Sequence, residues 1–578
     1  MSSWQGAPSD LAPWLILGAC ATGLGLLSVV WLGGTLGALA TGAGLHTPPF
    51  SGTTLTRILT DGPRPLWPRA SPAAIWSGIL TTLLAFAAGS GWTLWWARRW
   101  WRRPSGLATG RDMIDLTAAP MAQRALRLRS GLQGKPGEAD LGYRMARHGR
   151  NTLYASWEDT LLAVMGPRSG KTAAIAAPTI LRAPGPVMVT SIRPDIYTLT
   201  ATSAARRGTV WALDPQGIAH LPRTWWWDML AGARTYEAAY RLAGHFIALK
   251  GDPEKVASDF WLSSARSLLT GVFLAAVLSG SRLDDVLYWL ATPADQTPFQ
   301  TLATTMPAVA EDLKSRTKTA PETREGIYQT AREAVSCLLD PEIAAWITPH
   351  PDLPRFDPEA FVTSNDTLYL LAKKGTAGAA GVVAALADAV LKAAEHAAER
   401  SGGRLDPPLM GVLDEAANVC RISDLADTYT YCGGMGIVLQ AIIQNYPQGE
   451  GAWGKGGMAS LWSTATHVLI GAGINDPKLA QDLSKLIGSR DLPVRSISHG
   501  HMGRSVSTNP QQRPVLPPDK IRALPKMHAV LQSIGHPAAY VHLIPWFTDP
   551  SLAHVHEEID HQDQALTKRA QHTIHRPS

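Results

Sequence analysis

Thr160-Leu-Leu-Ala-Val-Met165 and the following Gly166-Pro-Arg-Ser-Gly170-Lys171-Thr172 decide the fold of this chain. An apolar strand ends there, a glycine-containing loop follows, and an alanine-rich helix begins at the lysine and the threonine. A phosphate-binding loop has this order, because backbone N–H groups and the positive end of a helix face the anion. The lysine reaches the terminal phosphates, and the hydroxyl holds Mg²⁺. The sequence therefore predicts a nucleotide site formed by Gly166, Pro167, Arg168, Ser169, Gly170, Lys171 and Thr172.

The loop departs from the strict pattern G-x-x-x-x-G-K-[ST] at one position. Met165 stands where the pattern has glycine, and Gly166 follows one residue later. Methionine is acceptable there with an ordinary φ, since later residues supply the phosphate contacts. The alternative is a strand–helix turn that binds nothing. Lys171 and Thr172 directly after a glycine disfavour it.

A second apolar run, Pro408–Leu413, ends in Asp414-Glu415. In ATPases with a phosphate-binding loop, such an aspartate holds Mg²⁺ and the neighbouring carboxylate polarises the attacking water. The alternative is a solvated strand end. Two carboxylates at the end of a buried strand are otherwise unfavourable, so their pairing with Lys171-Thr172 predicts Thr172 and Asp414 as Mg²⁺ ligands and Glu415 as a catalytic residue.

Length and composition set broad bounds. A chain of 578 residues with 45% hydrophobic residues predicts two to four domains. The net charge of +6 is compatible with a nucleic-acid partner but does not establish one. The cysteines are scattered and indicate neither a disulfide framework nor a zinc site; they are Cys20, Cys337, Cys420 and Cys432.

The first 103 residues predict a transmembrane hairpin with spans at about 12–43 and 73–97. Leu11–Thr56 has no charged residue, and Arg98-Arg99-Trp100-Trp101-Arg102-Arg103 closes the second span. The positive-inside rule then places both ends in the cytoplasm. A cleaved signal peptide is disfavoured because Met1–Asp10 has no basic residue. The remaining alternative for the first span is a buried core helix.

From Trp157 onward, apolar strands alternate with helices, which predicts an α/β fold with a parallel sheet covered on both faces. We expect a nucleotide-binding domain at 151–234 and 349–550, interrupted by an all-α insertion domain at 235–348. Residues 104–150 are expected to be a basic connector, and the histidine-rich residues 551–578 a disordered polar tail. The predicted strands are Leu161–Met165, Pro186–Ser191, Thr209–Leu213, Thr367–Leu371, Leu409–Leu413, Gly436–Ile442 and His467–Gly471.

The order of these features resembles the type IV coupling proteins of conjugation and secretion, the TraG/TraD group of DNA-transfer ATPases. The resemblance extends from the hairpin to about Phe547. Its motifs, besides the loop, are Ser191-Ile-Arg-Pro-Asp195, Asp214-Pro-Gln-Gly217, Asp259-Phe-Trp261, Leu413-Asp-Glu-Ala416, Gln440-Ala-Ile-Ile-Gln444, Trp453-Gly454, Arg513-Pro, Leu516-Pro-Pro-Asp519 and Gly535-His536-Pro537. Each motif alone is weak, whereas their joint order is specific.

The resemblance implies a RecA-like P-loop NTPase domain that uses ATP and Mg²⁺ and assembles as a homo-hexamer at the cytoplasmic face of the inner membrane. It implies that Lys171 and Glu415 are catalytic and that Gln444 senses the γ-phosphate. The implied partners are single-stranded DNA carrying its relaxase (the relaxosome), and the proteins of a type IV secretion channel. The implied function is to recruit that DNA and to power or license its conjugative transfer.

Two expectations within this resemblance are less specific. Tyr431-Cys-Gly-Gly-Met-Gly436 lacks the arginines that many relatives carry there, which leaves Arg421 and Arg490 as candidate arginine fingers, with surface solvation as the alternative. Lys373 and Lys374 follow a predicted strand and are the candidate DNA path, with a solvated turn as the alternative.

Two other functions fit the sequence. One is a docking platform for protein effectors in which nucleotide binding is mainly structural. The other is an FtsK-like translocase of duplex DNA, which is disfavoured because such proteins usually have more membrane spans and a DNA-reading winged-helix end.

Overall fold

The computed structural model describes residues 12–42, 44, 47–101, 106–250, 259–373, 378–422, 424–500 and 503–574. The chain divides into two compact units, Met1–Pro104 and Ser105–Ser578.

The first unit is helical, with α1 (Ala12–Ala40), α2 (Gly52–Thr60) and α3 (Pro72–Trp101). Helices α1 and α3 pack closely, since a Cβ on Gly78 would lie 2.2 Å from the carbonyl oxygen of Gly33. Pro72–Thr93 is long and apolar enough to cross a membrane, and the described apolar part of α1, Leu24–Ala40, is shorter. Helices therefore lie at the positions of both predicted spans, and their crossing of a membrane stays a prediction.

The second unit is built on an eleven-stranded sheet in the order β2-β1-β13-β12-β9-β3-β8-β7-β4-β6-β5. Its strands are β1 (Tyr143–His148), β2 (Asn151–Ala155), β3 (Leu161–Val164), β4 (Val187–Ser191), β5 (Val210–Leu213), β6 (Thr367–Leu371), β7 (Leu409–Asp414), β8 (Ile437–Ile443), β9 (His467–Gly471), β12 (His528–Ser533) and β13 (Ala539–His542). A separate hairpin consists of β10 (Ser489–Gly500) and β11 (Gly503–Pro514).

The α/β prediction is confirmed, but the sheet is mixed. The seven strands from β9 to β5 are parallel to one another and are the seven predicted from the sequence. The four strands on the other side pair antiparallel. The expectation of a purely parallel sheet is therefore wrong, because β12 reverses direction beside β9 and three further antiparallel pairings follow.

Both faces of the sheet are covered, as continuous apolar strands require. Leu162 and Val164 of β3 lie in one hydrophobic core, whereas Leu161 and Ala163 lie in the other. All four are buried completely or almost completely. The sheet is thus fixed from two sides, and the carboxyl ends of its parallel strands form a rigid edge.

The helices before the all-α block are α4 (Ala118–Leu128), α5 (Glu138–Leu141), α6 (Ala177–Arg182) and α7 (Asp195–Ala205), with a π turn at Thr172–Ala176. The block contains α8 (Tyr236–Ile247), α9 (Phe260–Ser279), α10 (Leu283–Ala291), α11 (Thr297–Thr305), α12 (Pro307–Thr317), α13 (Pro321–Ala334) and α14 (Pro341–Ile347). After it come α15 (Pro358–Phe361), α16 (Ala380–Arg400), α17 (Ala416–Val419), α18 (Leu425–Tyr431), α19 (Tyr446–Thr464), α20 (Pro477–Ile487), α21 (Pro518–Arg522) and α22 (Val555–Ile574).

The described part of residues 235–348 consists of helices joined by turns and loops and contains no β-strand. Helix α9 is apolar enough to cross a membrane by length and composition, but most of its side chains are buried within the protein. It is the central helix of this block, since α8 and α13 both pack on it.

The predicted connector is wrong as an independent linker. Met113 and Met121 are buried in the second hydrophobic core, and β1 and β2 are strands of the main sheet. Arg129 also forms an ion pair with Asp406 at 3.0 Å. These contacts make residues 106–155 part of the second unit.

The predicted disordered tail is also wrong for residues 555–574, which form α22. Val555 is fully buried and packs with Ala177 of α6. Glu558 is almost fully buried, accepts a hydrogen bond from Ser203 Oγ at 2.6 Å and pairs with Arg206 at 2.5 Å. The polar composition of the segment therefore reflects one exposed face of a docked helix.

Candidate nucleotide site

The predicted phosphate loop lies at the carboxyl end of β3. It is tied to the strands on either side, since Met165 N–H donates to Ile443 at 3.0 Å and Gly166 N–H donates to Ala472 at 2.9 Å. Ser169 Oγ donates to the Gly166 carbonyl at 2.6 Å, which closes the loop on itself. Gly170 has φ +103°, a conformation that glycine adopts without strain.

Lys171 lies at the centre of the site. Its ammonium donates to Glu415 Oε1 at 2.8 Å, and both side chains are about nine-tenths buried. Gln444 Nε2 donates to the same oxygen at 2.7 Å. The structure therefore brings together Lys171, Glu415 and Gln444 from three adjacent strands, as parallel strands ending at one edge permit.

Asp414 is the last residue of β7 and is buried. Burial raises the pKa of its carboxyl to about 7, the charge of Lys171 lowers it, and Glu415 raises it further. Among the described residues, no group hydrogen-bonds to Oδ1 of Asp414. Thr190 Oγ1 donates to the Asp414 backbone carbonyl at 3.0 Å and fixes the end of the strand.

An orphaned, buried carboxylate oxygen is what a cation site requires before its ion binds. Thr172 is half-buried and follows Lys171 at the start of the π turn. The hydroxyl of Thr172 and the carboxylate of Asp414 are both oxygen donors of the kind that Mg²⁺ prefers. The residues present therefore fit a magnesium ion.

Glu415 adopts an unusual backbone conformation, with φ +56° and ψ 37°. A non-glycine residue in the left-handed region is strained, and such strain concentrates at functional sites. Burial raises the pKa of Glu415, but hydrogen bonds from Gln444, Lys171 and Asn418 lower it by more. The carboxylate is therefore held ionised at neutral pH.

Two residues that hold Glu415 were not predicted from the sequence. Asn418 Nδ2 donates to Glu415 Oε2 at 3.0 Å, and Gln448 Nε2 donates to Asn418 Oδ1 at 3.0 Å. Asn418 lies three residues after Glu415, which is the spacing of one helical turn and was the available signal. The position of Gln448 depends on the docking of α19 and has no local signal.

The remaining predicted residues lie apart from this cluster. Arg490 is exposed on β10, whereas Arg421 is half-buried and donates to the carbonyl of Ala417 at 3.1 Å. Neither residue hydrogen-bonds to the Lys171–Glu415 pair in the described part of the chain. Lys373 is exposed just after β6, and its backbone N–H donates to Gln216 Oε1 at 2.8 Å. Lys374 lies outside the described residues.

Comparison with known proteins identifies the family. The sequence model of the Type IV secretory system Conjugative DNA transfer family matches residues 143–572, which is most of the chain. The chain belongs to this family.

Two similar proteins are both named as the conjugal transfer protein TraG. The probable conjugal transfer protein TraG of Sinorhizobium fredii (strain NBRC 101917 / NGR234) is 23% identical over 399 residues, 65% of this chain and 60% of that protein.

The conjugal transfer protein TraG of Agrobacterium fabrum (strain C58 / ATCC 33970) is 23% identical over 427 residues, 70% of this chain and 63% of that protein. The chain therefore spans somewhat less than two thirds of the length of either relative. These matches agree with the resemblance to TraG/TraD-type coupling proteins.

The fold is shared with the bacterial conjugative coupling protein TrwB. Its unbound form, TrwBdeltaN70, superposes with a TM-score of 0.53 at 19% identity, covering 73% of this chain and 91% of that one. TrwB in complex with ADP and Mg²⁺ gives a TM-score of 0.52 at 18% identity, with 72% and 91% covered. The α/β unit of this family member therefore has the fold of TrwB.

Proposed function

We propose that this protein is a membrane-anchored ATPase that recruits relaxase-bound, single-stranded DNA to a type IV secretion channel and powers or licenses its conjugative transfer. The observation that carries the proposal is the convergence of Lys171, Glu415 and Gln444 at one edge of the sheet, beside the orphaned carboxylate of Asp414. TrwB, which shares the fold, has been solved with an ATP analogue and with ADP and Mg²⁺.

The loop Gly166–Thr172 binds the phosphates of ATP, and Lys171 exchanges its contact with Glu415 for one with the β- and γ-phosphates. Thr172 and Asp414 would hold Mg²⁺, which would supply positive charge against the charge that develops on the phosphates. Glu415 accepts a hydrogen bond from the attacking water, since the low pKa of its carboxyl keeps it ionised.

Gln444 and Asn418 hold the Glu415 carboxylate from two sides. When Lys171 turns toward phosphate, the amide of Gln444 is free to follow the γ-phosphate or to stay on Glu415. Such a two-state hydrogen bond at a strand end couples phosphate release to movement of the following segment, α19. Gln444 is the γ-phosphate sensor in this account.

The membrane anchor is the hairpin of α1 and α3, with the ATPase unit in the cytoplasm. Its support is the pair of long apolar helices joined through α2 and followed by an arginine cluster. Six copies form the working ring. DNA is bound through its phosphates, because the transported sequence is arbitrary, and Lys373 lies on the DNA path.

The experiment is to purify the full-length protein in detergent and to measure phosphate release with no DNA, with single-stranded DNA and with duplex DNA. The proposal predicts slow basal hydrolysis that single-stranded DNA stimulates. Stimulation by duplex DNA alone supports an FtsK-like translocase instead. Nucleotide binding without hydrolysis under all three conditions supports the docking platform.

A further inference from the structure

The phosphate loop has two different flanks at the same edge of the sheet. On one side of β3 lie β8 and β7, which end at Gln444 and Asp414-Glu415. On the other side lie β9 and then β12, which runs antiparallel to β9. The first residues of β12 therefore also lie at the carboxyl edge of the parallel strands. A triphosphate whose γ-end meets Glu415 directs its nucleoside away from Glu415, toward this second flank.

Met527, directly before β12, reaches the phosphate loop. A Cβ on Gly170 would lie 2.5 Å from Met527 Sδ, so the methionine side chain covers this glycine. Met527 has φ +64°, which is strained for a non-glycine residue. The conformation is held by Leu543 N–H, which donates to the Met527 carbonyl at 2.8 Å.

A second segment reaches the same flank from β13. Residue His542, at the end of β13, pairs with His528 at the start of β12, so the chain leaves β13 at this edge too. It then forms the 3₁₀ turn Trp546–Thr548, which lies alongside the π turn Thr172–Ala176. Trp546 is buried and packs near Ala173, whereas its neighbour Phe547 is 51% exposed.

Both segments adjoin the phosphate loop on this flank: the thioether of Met527 covers Gly170, and the turn that carries the exposed Phe547 lies beside Thr172–Ala176. A planar, polarisable nucleobase is the group that aromatic and methionine side chains bind by stacking and contact. The burial of Trp546 in the core fixes the backbone of this turn, and its neighbour Phe547 keeps an exposed ring that is available for such stacking. The phosphates alone would need neither residue.

We propose that Phe547 and Met527 form the nucleobase site of this ATPase, with Phe547 stacking on the base and Met527 contacting the ribose or the base edge. The inference rests on the proposed nucleotide binding by Gly166–Thr172. It assigns the affinity for the nucleoside to Met527 and Phe547, which lie far beyond Thr172 in the sequence and outside the loop motif.

The test compares the affinity of the full-length protein for ATP with its affinity for inorganic tripolyphosphate, which has the phosphates but no base. The variants are Phe547→Ala, Phe547→Tyr and, as a matched control, Tyr540→Ala, since Tyr540 is another exposed aromatic near this edge. We expect Phe547→Ala to weaken ATP binding about tenfold and to leave tripolyphosphate binding unchanged. Phe547→Tyr and Tyr540→Ala should both bind ATP as the wild type does.

An unchanged ratio of the two affinities in Phe547→Ala overturns the inference, whether both affinities are retained or both fall together. A wild-type protein that binds neither ligand overturns the proposed nucleotide binding itself. The two failures are therefore distinguishable.

Discussion

The ammonium of Lys171 and the carboxylate of Glu415 form a buried ion pair, 2.8 Å between Nζ and Oε1. Each residue belongs to a different strand end, and each has a role toward ATP in the proposed mechanism. ATP binding therefore competes with a contact inside the protein. Without nucleotide, the pair keeps both charges compensated in a region from which water is largely excluded.

Lys171→Ala is expected to weaken nucleotide binding strongly. The variant loses a charge-assisted contact to phosphate, which corresponds to an affinity loss of about 10- to 100-fold. It also leaves Glu415 buried without its cation, which raises the pKa of that carboxyl. Titration with a fluorescent ATP analogue measures the first effect. Lys478→Ala, at an exposed lysine on α20, is the control and should bind as the wild type does.

Asn418→Ala is expected to reduce kcat while leaving nucleotide affinity nearly unchanged. The amide holds Glu415 Oε2 and touches no predicted phosphate contact. Loss of one hydrogen bond to a charged group corresponds to about a tenfold decrease in rate. It also raises the pKa of Glu415, so the acid limb of the pH–rate profile should move to higher pH. A proportional rise in KM with unchanged kcat would contradict this positioning role.

Asp414→Asn is expected to stabilise the nucleotide-free protein above neutral pH. Burial raises the pKa of Asp414 in the folded protein to about 7 from its ordinary value of 3.8. Between these two values the unfolded state has released a proton that the native state keeps, so the contribution of Asp414 to stability falls as pH rises through this window. Above pH 7 the decrease in the free energy of unfolding that Asp414 causes no longer changes with pH, and it is on the order of 2 to 4 kcal/mol.

The measurement is the Tm of both proteins in EDTA at pH 5 and at pH 8. The Tm of Asp414→Asn relative to wild type should be higher at pH 8 than at pH 5. Equal differences at the two pH values would show that Asp414 does not titrate in this window. Addition of Mg²⁺ with ATP should reduce the Tm difference between Asp414→Asn and wild type at pH 8, because the ion compensates the charge of the ionised carboxylate.

Glu558→Ala is expected to destabilise the protein by about 1–2 kcal/mol, through loss of the buried hydrogen bond from Ser203 and the ion pair with Arg206. The loss should lower the Tm and speed proteolysis of residues 555–574. Gln564→Ala, at an exposed position of the same helix, is the control. If the two variants have the same Tm, α22 does not contribute to the fold through Glu558.

Lys373→Glu is expected to weaken binding of single-stranded DNA without changing nucleotide affinity. A lysine that contacts phosphate contributes one released counterion, so the salt dependence of DNA binding should decrease by about one unit of slope. Fluorescence anisotropy with a labelled oligonucleotide at several salt concentrations measures it. Lys520→Glu, at another exposed lysine, is the control for net charge. Equal weakening by both variants would remove Lys373 from the DNA path.

The parallel half of the sheet was predictable because each strand is an apolar run that ends in a turn, a glycine or a polar residue. His467–Gly471 and Thr367–Leu371 were predicted with the bounds that the structure has. The antiparallel strands β12 and β13 were missed because their apolar signal is weak: on β13 only Ala539 and Val541 are buried, and the apolar run of β12 is limited to Ala529–Leu531. Their pairing is decided by distant parts of the chain.

The phosphate loop and its acidic partners were predictable because motif spacing and strand ends carry the information. The hydrogen bonds that hold Glu415 in place were not predictable, because Gln448 reaches Asn418 only after α19 docks. The C-terminal helix was missed for a similar reason. Its apolar contacts, led by Val555, are few, and the burial of Glu558 depends on Ser203 and Arg206 of another segment.

The central claim is that Glu415 activates water for hydrolysis of ATP held by Lys171. The most direct measurement is ATP binding and phosphate release by Glu415→Gln beside the wild type, both full-length and with single-stranded DNA. The account predicts that the variant binds ATP at least as tightly as the wild type. It also predicts that the hydrolysis rate of the variant is lower than that of the wild type by a factor of about 100 or more. Hydrolysis by Glu415→Gln at the wild-type rate would contradict it.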